Sequence, residues 1–212
     1  MAFFNRKNPK DVEAIRQVLE SLRDALSSAL GDELLALIVY GDFVKPEQFR
    51  VRYSQVNIML VVPQVDRATL DRVGVSIRNA EKQINLASMI VTPEDLQSSC
   101  DVFPVKFHDI QTQHRLLIGN DILSELAISD EHLRLRCEQE LKNLMIRLGL
   151  VYLRQSENVT RLWQALTDSV LSFQRILPAC LTVKTGMTPE ADVDVLDMFA
   201  AEFSIEVSVV SQ

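Results

Sequence analysis

Two apolar runs joined by an irregular polar link constrain this chain more than any other feature. The first, LLALIVY, covers Leu34–Tyr40 and ends in Gly41-Asp42; the second, VNIMLVV, covers Val56–Val62 and is entered through Ser54-Gln55. Short continuous runs rich in Val, Ile and Leu, bounded by turn signals, are the pattern of strands buried on both faces. Such strands oblige the rest of the chain to cover them. Two buried strands joined by a loop, with a glycine closing the first, also form a corner of the kind that carries an active site.

The flanking sequence supplies the cover. Asn8-Pro9 puts a capping residue before a proline in the first helical turn, with Asp11 and Glu13 close behind. Val12, Ile15, Leu19, Leu22 and Leu26 then repeat at helical spacing until Gly31. After Pro63 a helix is expected from about Arg67 to Asn85, with Leu70, Val73, Ile77, Ala80 and Ile84 inward. Ala87–Val91 reads as a third strand, and Thr92-Pro93-Glu94-Asp95 starts a brief helix ending near Cys100. Val102–Phe107 reads as an extended segment whose proline marks an edge or bulge. A helix over roughly Asp109–Leu117 and a turn at Gly119-Asn120-Asp121 follow.

From Ser129 the periodicity becomes helical throughout. Cys137, Leu141, Leu144, Met145, Leu148, Val151 and Tyr152 share one face. Beyond a break near Ser156-Glu157-Asn158, Val159, Leu162, Trp163, Leu166, Val170, Phe173 and Leu177 share another. Two such helices joined by a short link form an antiparallel hairpin. Pro178 and Gly186 punctuate its end, and Thr188-Pro189-Glu190 caps a last helix reaching about Phe203. The expected class is α+β, with a mixed sheet and its helices over 1–125 and an all-α hairpin or bundle over 126–212.

Composition narrows the function classes. A formal charge of -7 argues against a dedicated nucleic-acid binder, because phosphate contacts need lysine and arginine. Cys100, Cys137 and Cys180 have neither disulfide nor zinc spacing and read as buried free thiols. No apolar run reaches membrane-spanning length, and Met1-Ala2-Phe3-Phe4-Asn5-Arg6-Lys7 lacks a signal-peptide core. The expectation is a cytoplasmic protein.

The corner resembles the signature of the nucleotidyltransferase superfamily of the DNA polymerase beta type. There a strand ends in Gly-Ser, a second strand carries Asp-x-Asp, and a neighbouring strand adds a third carboxylate. The helix leading into the first strand and the helical half that follows resemble that architecture too. Here Asp42 stands in place of the serine, Gln55 of the first aspartate and Asn57 of the second. The resemblance implies that Gly41 and Asp42 mark a nucleotide-binding position and that Gln55 and Asn57 are vestiges of a metal site. Lys106, within Val102–Phe107, is the expected third position, with Asp101 or Asp109 the carboxylate if the register differs.

Nucleotidyl transfer uses divalent metals held by carboxylate oxygens, and an amide keeps the shape without the charge. A carboxylate at Asp42 repels phosphate oxygens, and a salt bridge to Lys106 would replace the metal site. The resemblance therefore implies a catalytically inactive, nucleotidyltransferase-like binding or regulatory module without a cofactor, its possible partner a nucleotide.

Two other readings stay open. One is an active, magnesium-dependent transferase with carboxylates displaced to Asp42, Asp101 and Asp109. The other is a structural module whose helical domain docks a protein partner or forms a homo-oligomer. An interface stripe and a core stripe have the same periodicity, so the helices do not separate these cases. His108, His114 and His132 share no metal-ligand spacing, and Ser98-Ser99-Cys100 has no accompanying base. Arg50 and Arg52 beside Phe49 and Tyr53 read as a solvated strand edge, and Trp163 reads as core. The charges from Glu131 to Lys142 read as a solvated helix face.

Overall fold

The computed structural model describes residues 11–45, 49–51, 54–189 and 194–205. Helix α1 (Val12–Leu30) is opened by Asp11, whose carboxylate accepts the Ala14 N–H at 2.8 Å. The expected start at Asn8-Pro9 lies outside the described residues. Ile15, Leu19, Leu22, Leu26 and Leu30 are all buried, the inward stripe that the spacing requires. Each such side chain contributes roughly 2 kcal/mol relative to exposure.

A four-stranded sheet has the order β3-β2-β1-β4. Strand β1 (Ala36–Tyr40) runs antiparallel to both β2 (Val56–Val61) and β4 (His114–Gly119), and β2 runs parallel to β3 (Leu86–Val91). On one face Leu37, Val39, Val56, Ile58 and Leu60 pack with the α1 stripe and with Val73, Ile77 and Ala80 of α2 (Arg67–Glu81). On the other, Ile38, Met59 and Val61 are equally buried. Both central strands are thus apolar on both faces, as their unbroken sequences demand. Leu70, expected inward on α2, is exposed, and Thr69 takes the buried position. Arg72 on the same helix pairs with Glu33, the residue that ends the turn after α1.

The second half of the sheet departs from expectation. Thr92 and Asp95 exchange backbone and side-chain hydrogen bonds in a reciprocal cap that opens α3 (Pro93–Val102). Val102–Phe107 is not extended: it holds the end of α3 and the start of α4 (Pro104–Thr112). Pro104 occupies the first helical turn, where its missing N–H has no partner to lose. The edge strand is instead β4, over residues expected to be mostly helical. A bulge at Leu117 shifts the β4 register between Leu37 and Ile38, and Gly119 ends the strand with φ 84°. A β-carbon on Gly119 would lie 1.9 Å from the Leu35 carbonyl oxygen, so the close approach of these chains requires glycine.

The chain forms two compact units. Residues 1–100 and 110–127 make the sheet unit; residues 101–109 and 128–212 make the helical unit. In the latter, Ser129 caps α5 (Asp130–Gln155) through the His132 N–H, and Asn158 caps α6 (Val159–Thr185) through the Arg161 N–H. The helix α6 passes straight through Pro178, which does not end it; Gly186, in the left-handed conformation, does. The expected cap of the last helix at Thr188-Pro189-Glu190 is replaced by Asp194, which opens α7 (Val195–Phe203); Glu190 is outside the described residues.

The core of this unit lies at the base of the hairpin, where Leu133, Cys137, Ile176, Leu177, Cys180, Leu181 and Phe199 are buried together. Cys137 and Cys180 meet there as free thiols, and their mutual contact pushes the Cys137 thiol up. Among the described residues no helix is long and apolar enough to cross a membrane.

Candidate functional site

The site is the end of the sheet where β1 stops and β2 starts. Tyr40 pairs with Asn57 on one side and with His114 on the other, while Asn57 pairs with Ala87. Residues directly opposite on neighbouring strands project to the same face. Ala87, Asn57, Tyr40 and His114 therefore form one row across all four strands. That face is the one turned away from α1 and α2, because the flanking Val56 and Ile58 belong to the core on the helix side. Gln55, two residues before Asn57, follows on the same side. Gln55 is exposed and Asn57 half-buried, so neither amide points into the apolar interior.

Gly41 has φ 79°, a conformation that favours glycine, and a β-carbon there would sit 3.2 Å from the Asn57 amide nitrogen. The glycine lets the chain turn directly over Asn57 into a 3₁₀ turn at Gly41–Val44. Its N–H is already used, donating to the Gln113 carbonyl at 2.9 Å. Asp42 is half-buried beside Ser54, whose hydroxyl lies 3.4 Å from the carboxylate and accepts the Arg50 N–H at 3.1 Å. A hydroxyl does stand in this corner, but it comes from the far end of the link rather than from the position after the glycine. Phe43 and Phe49 meet edge to face at 5.0 Å, and the Arg115 guanidinium lies 6.0 Å over the Phe43 ring. Burial pushes the Tyr40 phenol up, which keeps it a neutral hydrogen-bonding group.

Several sequence-predicted positions lie on other elements than expected. Lys106 lies on α4 within the helical unit, not on a strand beside β2, so the register argument that set it against Asp42 fails. The alternation of Val102–Phe107 fits an extended segment as well as a helical one over so few residues, which is why the placement went astray. By register, the residues of the neighbouring strands level with Asn57 are Tyr40 on β1 and Ala87 on β3, and neither is a carboxylate. The pairing of β2 with both neighbours decides this, and no local signal announces it.

Asp101 accepts from the His132 ring at 3.0 Å, and Asp109 lines a 190 Å³ pocket with Lys106, Arg136 and Arg175. Among the described residues no group of three or more His, Cys, Asp or Glu side chains could hold a metal ion. His114 does stand at the end of the row. Its ring nitrogens face the Asp121 carboxylate at 3.1 Å and the Gln111 carbonyl at 2.9 Å. Arg50 is exposed, while Arg52 and Tyr53 lie outside the described residues.

No protein-family model matches the chain. No curated protein resembles it in sequence. Solved structures do match. Among them is the crystal structure of spectinomycin adenyltransferase from Enterococcus faecialis with ATP and spectinomycin, at a TM-score of 0.53 and 12% identity. The match covers 92% of this chain and 93% of that one, so the likeness takes in both the sheet and the helices. At that identity it shows a shared fold: the architecture is nucleotidyltransferase-like.

Proposed function

We propose that this chain uses a nucleotidyltransferase-like fold as a binding or regulatory module and does not itself transfer nucleotides. The observation that carries the reading is the row Ala87–Asn57–Tyr40–His114, with Gln55 beside it. Magnesium gives up its water reluctantly and is held by carboxylates together with substrate phosphates. Among the described residues of the link and the adjoining strand ends, Asp42 alone carries a carboxylate, and it stands where the resemblance places a phosphate-cradling serine; the Asp121 carboxylate faces His114 at the far end of the row. These donors do not fit a pair of metal ions clamping a triphosphate, and no step is derived through them.

The solved neighbour is described with ATP, and a nucleotide is the ligand class proposed for this corner as well. Neutral amides at Gln55 and Asn57 suit the donor and acceptor edge of a base or ribose. Asp42 disfavours phosphate, and the Gly41 N–H is engaged with Gln113. Binding through the nucleoside portion follows.

Calorimetry tests this directly. ATP and adenosine are expected to bind within a few-fold of each other, and chelating magnesium is expected to change neither. ATP binding at least about ten-fold tighter with magnesium, or release of pyrophosphate, would show an active transferase and overturn the reading; silence toward both ligands would remove the nucleotide from it. The triple replacement Gln55→Asp, Asn57→Asp and Ala87→Asp supplies the missing acids in register. It is expected to create magnesium-dependent ATP binding that the natural chain lacks.

A further inference from the structure

We infer that one side of the α5–α6 hairpin is a docking face for a second copy of this chain. The seam of the hairpin is formed by Leu144, Leu148 and Val151 of α5 and by Leu162, Ala165 and Ser169 of α6, all half-buried or buried. In an antiparallel pair of right-handed helices, the residue following a seam position turns to the same side on either helix. Those residues are Met145, Gly149 and Tyr152 on α5 and Trp163, Leu166 and Val170 on α6.

The side they build is apolar and open. Met145 is 67% exposed, Tyr152 62%, Trp163 66% and Leu166 39%, and Val159 at the tip of the same stripe is 65% exposed. Large apolar residues scattered singly on a surface need no explanation, whereas a contiguous patch marks an interaction site. The opposite side carries Asn143, Arg147, Arg161, Gln164 and Asp168, with Leu150 the one large apolar residue among these positions. The two sides flanking the seam thus differ in polarity, although Ile146, Leu153 and Leu171 on the back of the hairpin are exposed as well.

Three properties of the face fit a second copy. Its area comes to roughly 600 Å² per chain, given what large aromatic and aliphatic side chains bury, and two such faces reach the lower bound of a standard interface. None of its residues is charged, so two identical faces meet without like-charge repulsion even in a chain of net charge -7. It also pairs a knob with a notch. Gly149 and Trp163 lie at similar heights, roughly 9 to 12 Å below the hairpin tip. A β-carbon on Gly149 would meet nothing within 4 Å, so the notch is open. About a two-fold axis, each Trp163 enters the other chain's Gly149 notch, the reciprocal arrangement that an isologous interface requires.

Sedimentation of the full chain across a concentration series tests the inference, and it reads mass alone, independent of what the sheet unit binds. The natural chain is expected to be a dimer in the micromolar range. Trp163→Glu and Gly149→Lys are each expected to raise the dissociation constant about 30-fold or more, as hot-spot residues do. Gly149→Lys also replaces a weak helix former by a strong one, so loss of the dimer with unchanged helicity cannot be assigned to unfolding. Arg161→Glu, on the charged side, is expected to leave the dimer intact. A chain that stays monomeric, a dimer indifferent to both apolar-side variants, or one broken only by Arg161→Glu would overturn the inference.

Discussion

The α1 helix and the α5–α6 hairpin are built on the same periodic principle and meet different fates. In α1 the residues at helical spacing, from Ile15 to Leu30, are buried against the sheet, and the rest of the helix surface is polar. In the hairpin the seam is closed near its base, but farther out Met145, Tyr152, Val159 and Trp163 stand open to solvent. Helical spacing states that a stripe is apolar; it does not state what covers it. A sheet beside α1 settles the matter within one chain, whereas the outer turns of a two-helix hairpin have nothing of their own to lie against.

The contrast can be broken or sharpened by substitution. The largest effect is expected at Gly119, where a side chain would collide with the Leu35 carbonyl and the φ of 84° would be strained as well. Gly119→Ala should destabilise the sheet unit by about 4 kcal/mol in denaturant titration, among the larger effects of a single substitution. Next come matched truncations. Leu26→Ala removes a fully buried side chain and should cost about 3 kcal/mol. Leu153→Ala removes one that is 78% exposed on the back of α5 and should change stability by less than about 0.5 kcal/mol. Equal losses at the two positions would erase the distinction between a closed and an open stripe.

A pH effect is expected within the helical unit. His108 is buried and its Nε2 meets the Thr182 hydroxyl at 2.9 Å, while that hydroxyl donates to the Pro178 carbonyl. The ring nitrogen is therefore the donor, and burial holds the imidazole below its ordinary pKa. The unfolded chain then takes up the proton first, so stability is full above about pH 6.5 and declines as pH falls toward the lowered native value. The slope is at most about 1.4 kcal/mol per pH unit. The His108→Gln variant should lose this component, read as the difference between the two pH profiles.

The most local effect is expected at the hairpin tip. Asn158→Ala removes the side chain that accepts the Arg161 N–H and should cost about 1 kcal/mol. Hydrogen exchange should show the loss confined to the first turn of α6.

Much of the fold was legible in local pattern. The two central strands, the α1 stripe, the Thr92 cap and the hairpin with its break near Asn158 all rest on side-chain spacing and capping chemistry that act over a few residues. The errors share one cause. Val102–Phe107 alternates like a strand but holds the end of α3 and the start of α4, and His114–Leu117, expected to be helix, belongs to the strand that pairs with β1. Short segments of mixed propensity take the state that their neighbours offer, and an open sheet edge lay beside β4. At the site, the amides at Gln55 and Asn57 could be read directly, because the two-residue period of a strand fixes their common side. The residue level with them on the next strand could not, since Lys106 belongs to a helix and Ala87 is selected by pairing alone.

The sequence by itself thus determined which surfaces are apolar, where helices start, and that the β2 corner carries the amides Gln55 and Asn57. Only the tertiary structure decided which residues stand level with Asn57, that the Gly41 N–H is already engaged, and that Trp163 faces solvent. The division has a physical basis. Spacing and capping are set by backbone geometry over a turn or two, while register and cover depend on segments far apart in the chain that meet only when it folds.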